Sequence, residues 1–303
     1  MNHQDPCPAC GGRRFRRRNV LPELTTRTCA DCGLVISTIE RSGEALSEFA
    51  LVDEAAYRRS VGEVRRRQAV DILSLLRRHV SVGATLLDVG CSFGFFLLEA
   101  RRAGFDVRGV EPDLQAFEGA RAVLGDGVVS LGLLSPETAA PGSSDVVCTL
   151  DVIEHIAPPE QETFARQIAE TLAPGGIWVI KVPTTEGLYY KLSDLLVRAR
   201  LGASFVRRLW QTRYEFPHLV YFSRASLIRW LHRYGFEVIA HRYLQEVPND
   251  TVVDRLTTDH DISRSRALLL APVVVGVNLI EAARRKSDSL VVLARRIGGE
   301  ARS

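Results

Sequence analysis

Leu86-Leu87-Asp88-Val89-Gly90-Cys91-Ser92-Phe93-Gly94 reads as a hydrophobic strand running into a glycine turn and then a helix. Gly90 and Gly94 lack a Cβ, so the backbone there adopts dihedrals closed to other residues and approaches a ligand closely. A strand whose carboxyl end opens into such a turn cradles a nucleotide-like ligand at the switch point of an α/β sheet. The next strand ends at Glu111, about 20 residues further on, where a carboxylate accepts hydrogen bonds from both ribose hydroxyls. Gly90 to Gly94 reads G-C-S-F-G rather than G-x-G-x-x-G, so the pyrophosphate fingerprint of a dinucleotide site is absent.

Outward from this stretch, apolar strands and amphipathic helices alternate. Helical spacing of Val61, Val64, Ile72, Leu73, Leu76 and Val80 leads into the strand Thr85 to Val89. A helix to Ala103, a strand Asp106 to Val110, a helix Asp113 to Leu124 and a strand near Val128 follow. Then come a strand Asp145 to Leu150, a helix Glu160 to Leu172 closed by Pro174-Gly175-Gly176, and a strand Ile177 to Val182. The alternation predicts a Rossmann-like parallel sheet with helices on both faces. Residues 186–222, rich in aromatics, interrupt the rhythm as an insertion over one edge. A helix Ser223 to Tyr234, a strand Phe236 to Arg242, a helix within Ser263 to Arg285 and a last strand Ser289 to Ala294 complete the domain. The expected organisation is a small unit at 1–36, a connector at 37–60 and the sheet domain at 61–303.

These residues resemble class I S-adenosylmethionine-dependent methyltransferases, whose first motif has the close variant D-V-G-C-S-x-G. The likeness continues through Leu150-Asp151-Val152-Ile153-Glu154-His155, Leu172-Ala173-Pro174-Gly175-Gly176 with Val182-Pro183, and His218-Leu219-Val220-Tyr221-Phe222-Ser223 with Gly235-Phe236. It implies a seven-stranded sheet and S-adenosylmethionine as cofactor. By the same resemblance Asp88, Gly90, Cys91 and Gly94 line its methionine end, Glu111 the ribose, Gly132 and Leu133 the adenine, and Leu150 the sulfonium side. Ser92 departs from the glycine that many members carry there.

The N-terminus carries Cys7-Pro8-Ala9-Cys10-Gly11-Gly12 and Cys29-Ala30-Asp31-Cys32-Gly33. Two C-x-x-C knuckles at this spacing suit a four-cysteine zinc ribbon, and four thiolates close the tetrahedron, so the metal is structural. A segment this short and poor in apolar residues needs such a staple to fold. A ribbon deprived of metal is expected to loosen while the sheet domain stays folded. Cys91 and Cys148 read as a loop residue and a core residue.

Methyl transfer is an in-line displacement from a sulfonium, so the protein aligns a nucleophile and, where that group is protonated, removes its proton. Histidine suits this near neutral pH. His155, beyond the fourth strand of the sheet, and His218, before the late helix, lie where the family places substrate-facing residues, and they are the candidate catalytic pair. Tyr189, Tyr190 and Tyr221 border the expected acceptor site, and Glu154 reads as a hydrogen-bond partner rather than a base.

Of 39 basic residues only Lys181, Lys191 and Lys286 are lysine, and the net charge is +3. A chain that writes nearly every cation as arginine forms arginine clusters on solvated faces, which weakens a nucleic-acid reading of Arg13, Arg14, Arg16, Arg17 and Arg18, or of Arg58, Arg59, Arg65, Arg66 and Arg67. The N/D-P-P-Y/F tetrad associated with methylation of base or amide nitrogens is absent after the fourth strand. The longest apolar stretch, Ala267 to Val277, is interrupted by Pro272 and Gly276, which argues against a membrane span. With Arg264, Arg266, Arg284, Arg285 and Lys286 beside it, the same stretch reads as core helix or as an interfacial contact with an anionic bilayer. Nothing near Met1 marks the chain for export, and a cytoplasmic location is expected.

The sequence therefore predicts a methyltransferase acting on a small or carrier-linked acceptor. The ribbon beside a methyltransferase domain resembles the deoxysugar C-methyltransferases, which implies a sugar or glycan precursor. An RNA methyltransferase gripping RNA with its ribbon is the rival reading, and a non-catalytic binding module the third.

Overall fold

The computed structural model describes residues 5–39, 54–212, 214–257 and 262–297, with the backbone alone for 54–60; Arg58, Arg59 and most of the expected connector lie outside the described side chains. Three short strands open the chain: β1 (Phe15–Leu21), β2 (Leu24–Cys29) and β3 (Val35–Ser37). Helix α1 spans Glu54–Leu76, starting inside the stretch expected to be a connector. Strands β4 (Thr85–Val89), β5 (Asp106–Glu111) and β6 (Val129–Leu131) alternate with α2 (Phe95–Arg102) and α3 (Leu114–Leu124). Asp113 begins α3 because its carboxylate accepts from the Ala116 N–H at 2.8 Å, satisfying one donor that the first turn leaves open. Beyond these lie β7 (Ser144–Leu150), α4 (Gln161–Thr171) and β8 (Leu172–Pro183). Pro174-Gly175-Gly176, expected as a loop, is carried inside β8, where the register with β7 shifts between Ser144 and Val146.

The insertion consists of α5 (Leu188–Arg198), α6 (Ala203–Trp210) and β9 (Val220–Tyr221). Helix α7 (Arg224–Arg233) starts at Ser223, whose side chain forms a capping box with Ser226. Strand β10 (Phe236–Leu244), α8 (Val252–Leu256), α9 (Arg264–Arg284) and β11 (Ser289–Arg296) follow.

The central sheet has the order β10-β11-β8-β7-β4-β5-β6. Strands β4 to β8 pair in parallel, as periodicity predicts, but β11 runs antiparallel between β8 and β10. Leu290 to Ala294 are fully buried, and a continuous apolar run marks a strand covered on both faces whatever its direction. Chain order reverses at β4, which pairs with β5 on one side and β7 on the other, so the ends of these strands form the switch-point crevice.

The ribbon is not separate from this domain. Strand β3 pairs with β9, Val35 opposite Tyr221 and Ile36 opposite Val220, so β1-β2-β3-β9 form one sheet. Cys7, Cys29, Leu34 and Ile36 share a core with Trp178, Leu227 and Trp230. Trp178 packs against Phe236 with ring centroids 5.0 Å apart and donates its indole N–H to Thr149 at 2.9 Å.

Helix α9 runs on through Pro272, and by length and composition it is long and apolar enough to cross a membrane, which overturns the argument from interruption. Only one stripe of it is buried: Ala267, Val274, Asn278 and Glu281. Leu268, Leu269, Val273, Leu279 and Ile280 are each more than half exposed. A helix serving as ordinary core does not present such a face.

Candidate active site

One cavity of about 1670 Å³ opens at the switch point. Its floor is the turn after β4. Gly90 has φ 76°, and a Cβ there would meet Val152 Cγ2 at 2.9 Å, so only glycine leaves the cradle open. Ser92 sits at φ 49°, a left-handed conformation that costs a side chain more than it costs glycine. Its N–H donates to Glu111 Oε2 at 2.7 Å, and the Asp113 N–H donates to Oε1 at 2.9 Å. Glu111 thus braces the turn as well as lining the cavity.

Asp88 is buried and also lines the cavity, and its Oδ1 has no hydrogen-bond partner among the described residues. Burial pushes its carboxyl well above the usual range, and the negative charge of Glu111 adds to this. An orphaned acceptor beside a glycine cradle is the environment that the methionine end of the expected cofactor, with its amino group, fits. Cys91, Gly132, Leu133 and Leu150 line the same cavity. Burial raises the Cys91 thiol, which suits packing rather than reactivity. Gly94 is placed differently: it begins α2 at φ 74°, outside the cavity lining, and a Cβ there would meet Leu124 Cδ1 at 2.7 Å. That position calls for glycine where α2 packs against α3.

On the other side of β4, the loop after β7 and the insertion bring together His155 and His218, residues far apart in sequence. Their ring centroids lie 4.9 Å apart. His155 Nδ1 meets the Pro217 carbonyl oxygen at 3.0 Å. A carbonyl only accepts, so Nδ1 carries the proton. His218 Nδ1 meets the Tyr221 hydroxyl at 2.9 Å, and that hydroxyl donates to the Leu209 carbonyl at 2.7 Å, so His218 Nδ1 is likewise the donor. Burial, aided by the neighbouring His155, holds the His218 pKa well below its ordinary value, and the ring is neutral at pH 7. Tyr189 and Tyr190 line the cavity beside Tyr221.

Glu154 departs from expectation. It is completely buried, and neither carboxylate oxygen has a hydrogen-bond partner among the described residues. Burial, and then the charge of Asp151, push its carboxyl well above the usual range.

Sequence reasoning missed Lys181 and Glu246. Lys181 is 1% exposed and binds Asp151 at 2.7 Å and Glu246 at 2.6 Å. Arg65, expected on a solvated face, pairs with Asp151. Burial by itself would raise Glu246, but Lys181 and then Arg65 outweigh it and hold this carboxyl well below the usual range. A signal was present: in a chain that spells its cations as arginine, a lysine inside the apolar strand Ile177 to Val182 marks a position that arginine does not fill.

Cys7, Cys10, Cys29 and Cys32 converge at the ribbon's tip. The Sγ atoms of Cys7 and Cys32, and of Cys10 and Cys29, are each 3.6 Å apart, and all four lie within 4.8 Å of one another with no disulfide. Four sulfurs at about 2.3 Å from one tetrahedral ion sit roughly 3.8 Å from each other, so the spacing fits.

The family model described as a methyltransferase domain matches residues 61–241. A ubiquinone biosynthesis O-methyltransferase of Caulobacter sp. (strain K31) is 31% identical over 132 residues, 42% of this chain and 49% of that protein; the chain spans about half the length of the curated relatives it matches. Among solved structures, a chain from the complex between the Haloferax volcanii Trm112 methyltransferase activator and a methyltransferase aligns with a TM-score of 0.57 at 18% identity, covering 84% of this chain and 97% of that one. A SAM-dependent methyltransferase from Archaeoglobus fulgidus aligns with a TM-score of 0.51 at 15% identity, covering 80% of this chain and 100% of that one. At these identities the structural likeness is one of fold.

Proposed function

The chain belongs to the methyltransferase-domain family, and from that premise we propose that it transfers the methyl group of S-adenosylmethionine to a small or carrier-linked acceptor. The observation that carries this reading is the single cavity joining the Asp88–Glu111 cradle to the His155–His218 pair. The cofactor supplies an electrophilic methyl on a sulfonium. Asp88 and the Gly90 turn hold its methionine end, Glu111 its ribose, and Gly132 and Leu133 its adenine. The paired rings stand at the acceptor end of the same cavity. Replacing Glu111 by alanine is expected to weaken S-adenosylmethionine binding by about 1–3 kcal/mol, through loss of charge-assisted bonds to the ribose and of the brace on Ser92. Calorimetry measures this, and a wild-type protein that binds a nicotinamide cofactor instead would overturn the reading.

We further propose that the four cysteines bind one structural zinc ion in a cytoplasmic, reducing setting. The RNA reading loses support because Arg14 and Arg18, two of the ribbon's cations, are tied to Asp31 and Asp194. A relative named for ubiquinone biosynthesis instead favours a small lipophilic acceptor. A glycan precursor on a lipid carrier has the same amphipathic character.

Helix α9 points the same way. Leu270 and Val273 line the cavity, while the exposed leucines beside them continue that apolar surface outward. Arg264, Arg266, Arg284 and Arg285 flank the helix, so the face suits an anionic bilayer held by apolar burial and cationic attraction. Co-sedimentation with anionic vesicles is expected at low salt and should weaken at moderate salt as the arginines are screened. No binding under either condition would return α9 to a purely structural role.

A further inference from the structure

Glu154, His155 and His218 place a carboxylate oxygen and one ring nitrogen of each histidine within 4.8 Å of one another, inside the cavity wall. Two features of this cluster are unlike packed core. First, the Glu154 carboxylate is completely buried and has no donor among the described residues, although a carboxylate out of water needs a proton, a hydrogen-bond donor or a cation. Secondly, both rings have their tautomer fixed by a partner outside the cluster, His155 by the Pro217 carbonyl and His218 by the Tyr221 hydroxyl. Nδ1 is the donor in each ring, so in the neutral imidazole Nε2 carries the lone pair. Ligating histidines are held in this way, the far N–H donated to a carbonyl or another oxygen so that the other nitrogen presents its electrons to a metal.

We propose that Glu154, His155 and His218 bind a divalent transition-metal cation at the acceptor end of the cavity. Two imidazoles and one carboxylate suit zinc, manganese or ferrous ion, and three protein ligands leave further coordination positions open. Those positions define the substrate class, a point that rests on the methyl-transfer reading: an acceptor whose nucleophile is a hydroxyl oxygen able to ligate the ion. As the oxygen binds, its proton is released to solvent. The oxygen lone pair then forms the O–CH3 bond while the C–S bond breaks, and the sulfur keeps that electron pair. The histidines act here through the cation rather than as a free base.

The site separates from the ribbon by ligand chemistry, because manganese is a poor match for four thiolates and a fair one for nitrogen and oxygen donors. Full-length protein with its ribbon loaded with zinc is titrated with Mn2+, following loss of the free-ion paramagnetic resonance signal, and S-adenosylmethionine affinity is measured on the same sample. One Mn2+ per chain is expected, displaced by excess Zn2+. His218→Ala is expected to weaken binding at least tenfold. So is Glu154→Gln, which replaces the ligating carboxylate by an amide of the same shape, so that its fold is preserved by circular dichroism. No Mn2+ or Zn2+ binding beyond the ribbon, or wild-type binding by a folded Glu154→Gln protein, overturns the proposal. Metal binding without S-adenosylmethionine binding would support the metal site and sink the methyl-transfer reading instead.

Discussion

Methionine in place of Lys181 is expected to destabilise the fold by about 3 kcal/mol, near the lower end of the range for removing one partner from a buried charge cluster. The ammonium is 1% exposed and bridges Asp151 to Glu246. Methionine fills comparable volume but leaves both carboxylates facing each other with little water. The loss is moderated because Asp151 keeps Arg65 and Glu246 keeps Ser289. The sign of the pH dependence follows from Glu246, whose folded-state pKa is depressed. A depressed carboxylate contributes stability that is present above the unfolded value of about 4.3 and is lost as pH falls towards the folded one. The gap between wild type and variant should therefore be full at pH 7 and narrow once pH drops below about 4. Urea denaturation of both proteins across that range measures it, and a constant gap would show that Lys181 acts through packing rather than charge.

Serine in place of Cys29 should lower the bound zinc by about one ion per chain and abolish the ribbon's order. Apparent zinc-binding energies in small ribbons are about 10–16 kcal/mol at neutral pH, more than a segment of this size recovers by burying apolar surface. The effect should not stop at the ribbon. Strand β3 pairs with β9, and the Ser37 N–H donates to the Leu219 carbonyl at 2.8 Å while the Ser37 hydroxyl donates to the His218 carbonyl at 3.2 Å. Loss of the ion should therefore weaken acceptor binding while S-adenosylmethionine, held by β4 and β5, binds as before. Metal analysis with calorimetry of the Cys29→Ser protein tests both halves. Unchanged metal content would remove the zinc assignment, and equal loss of both ligands would mean that the sheet domain itself had collapsed.

The parts of the fold visible in sequence are those governed by short-range pattern. Thr85 to Val89 is a strand because its apolar run meets a glycine turn, and Asp113 and Ser223 begin helices because their side chains cap the first turn. The antiparallel course of β11 was hidden, because a strand buried on both faces reads the same in either direction. Lys181 was hidden by its apolar neighbours, and the isolation of Glu154 by the fact that lacking a partner is a property of three-dimensional surroundings. His155 and His218 were legible as individuals through the family likeness, but their 4.9 Å approach depends on Pro217 and Tyr221 folding back from the insertion. The exposure of α9 was undecided because a core helix and an interfacial one share the same apolar composition.

A ribbon hydrogen-bonded into the strand that directly follows an acceptor-side histidine is not a cassette. It cannot be grafted onto a relative, or trimmed away to reach a minimal catalytic unit, without baring the edge of β9 and wetting Trp178 and Trp230. An unpaired edge beside exposed tryptophans is a template for self-association. Inheritance of the first 36 residues is therefore tied to inheritance of residues 186–222, so that a chimera joining the front of one homologue to the back of another would need to carry both segments from the same parent.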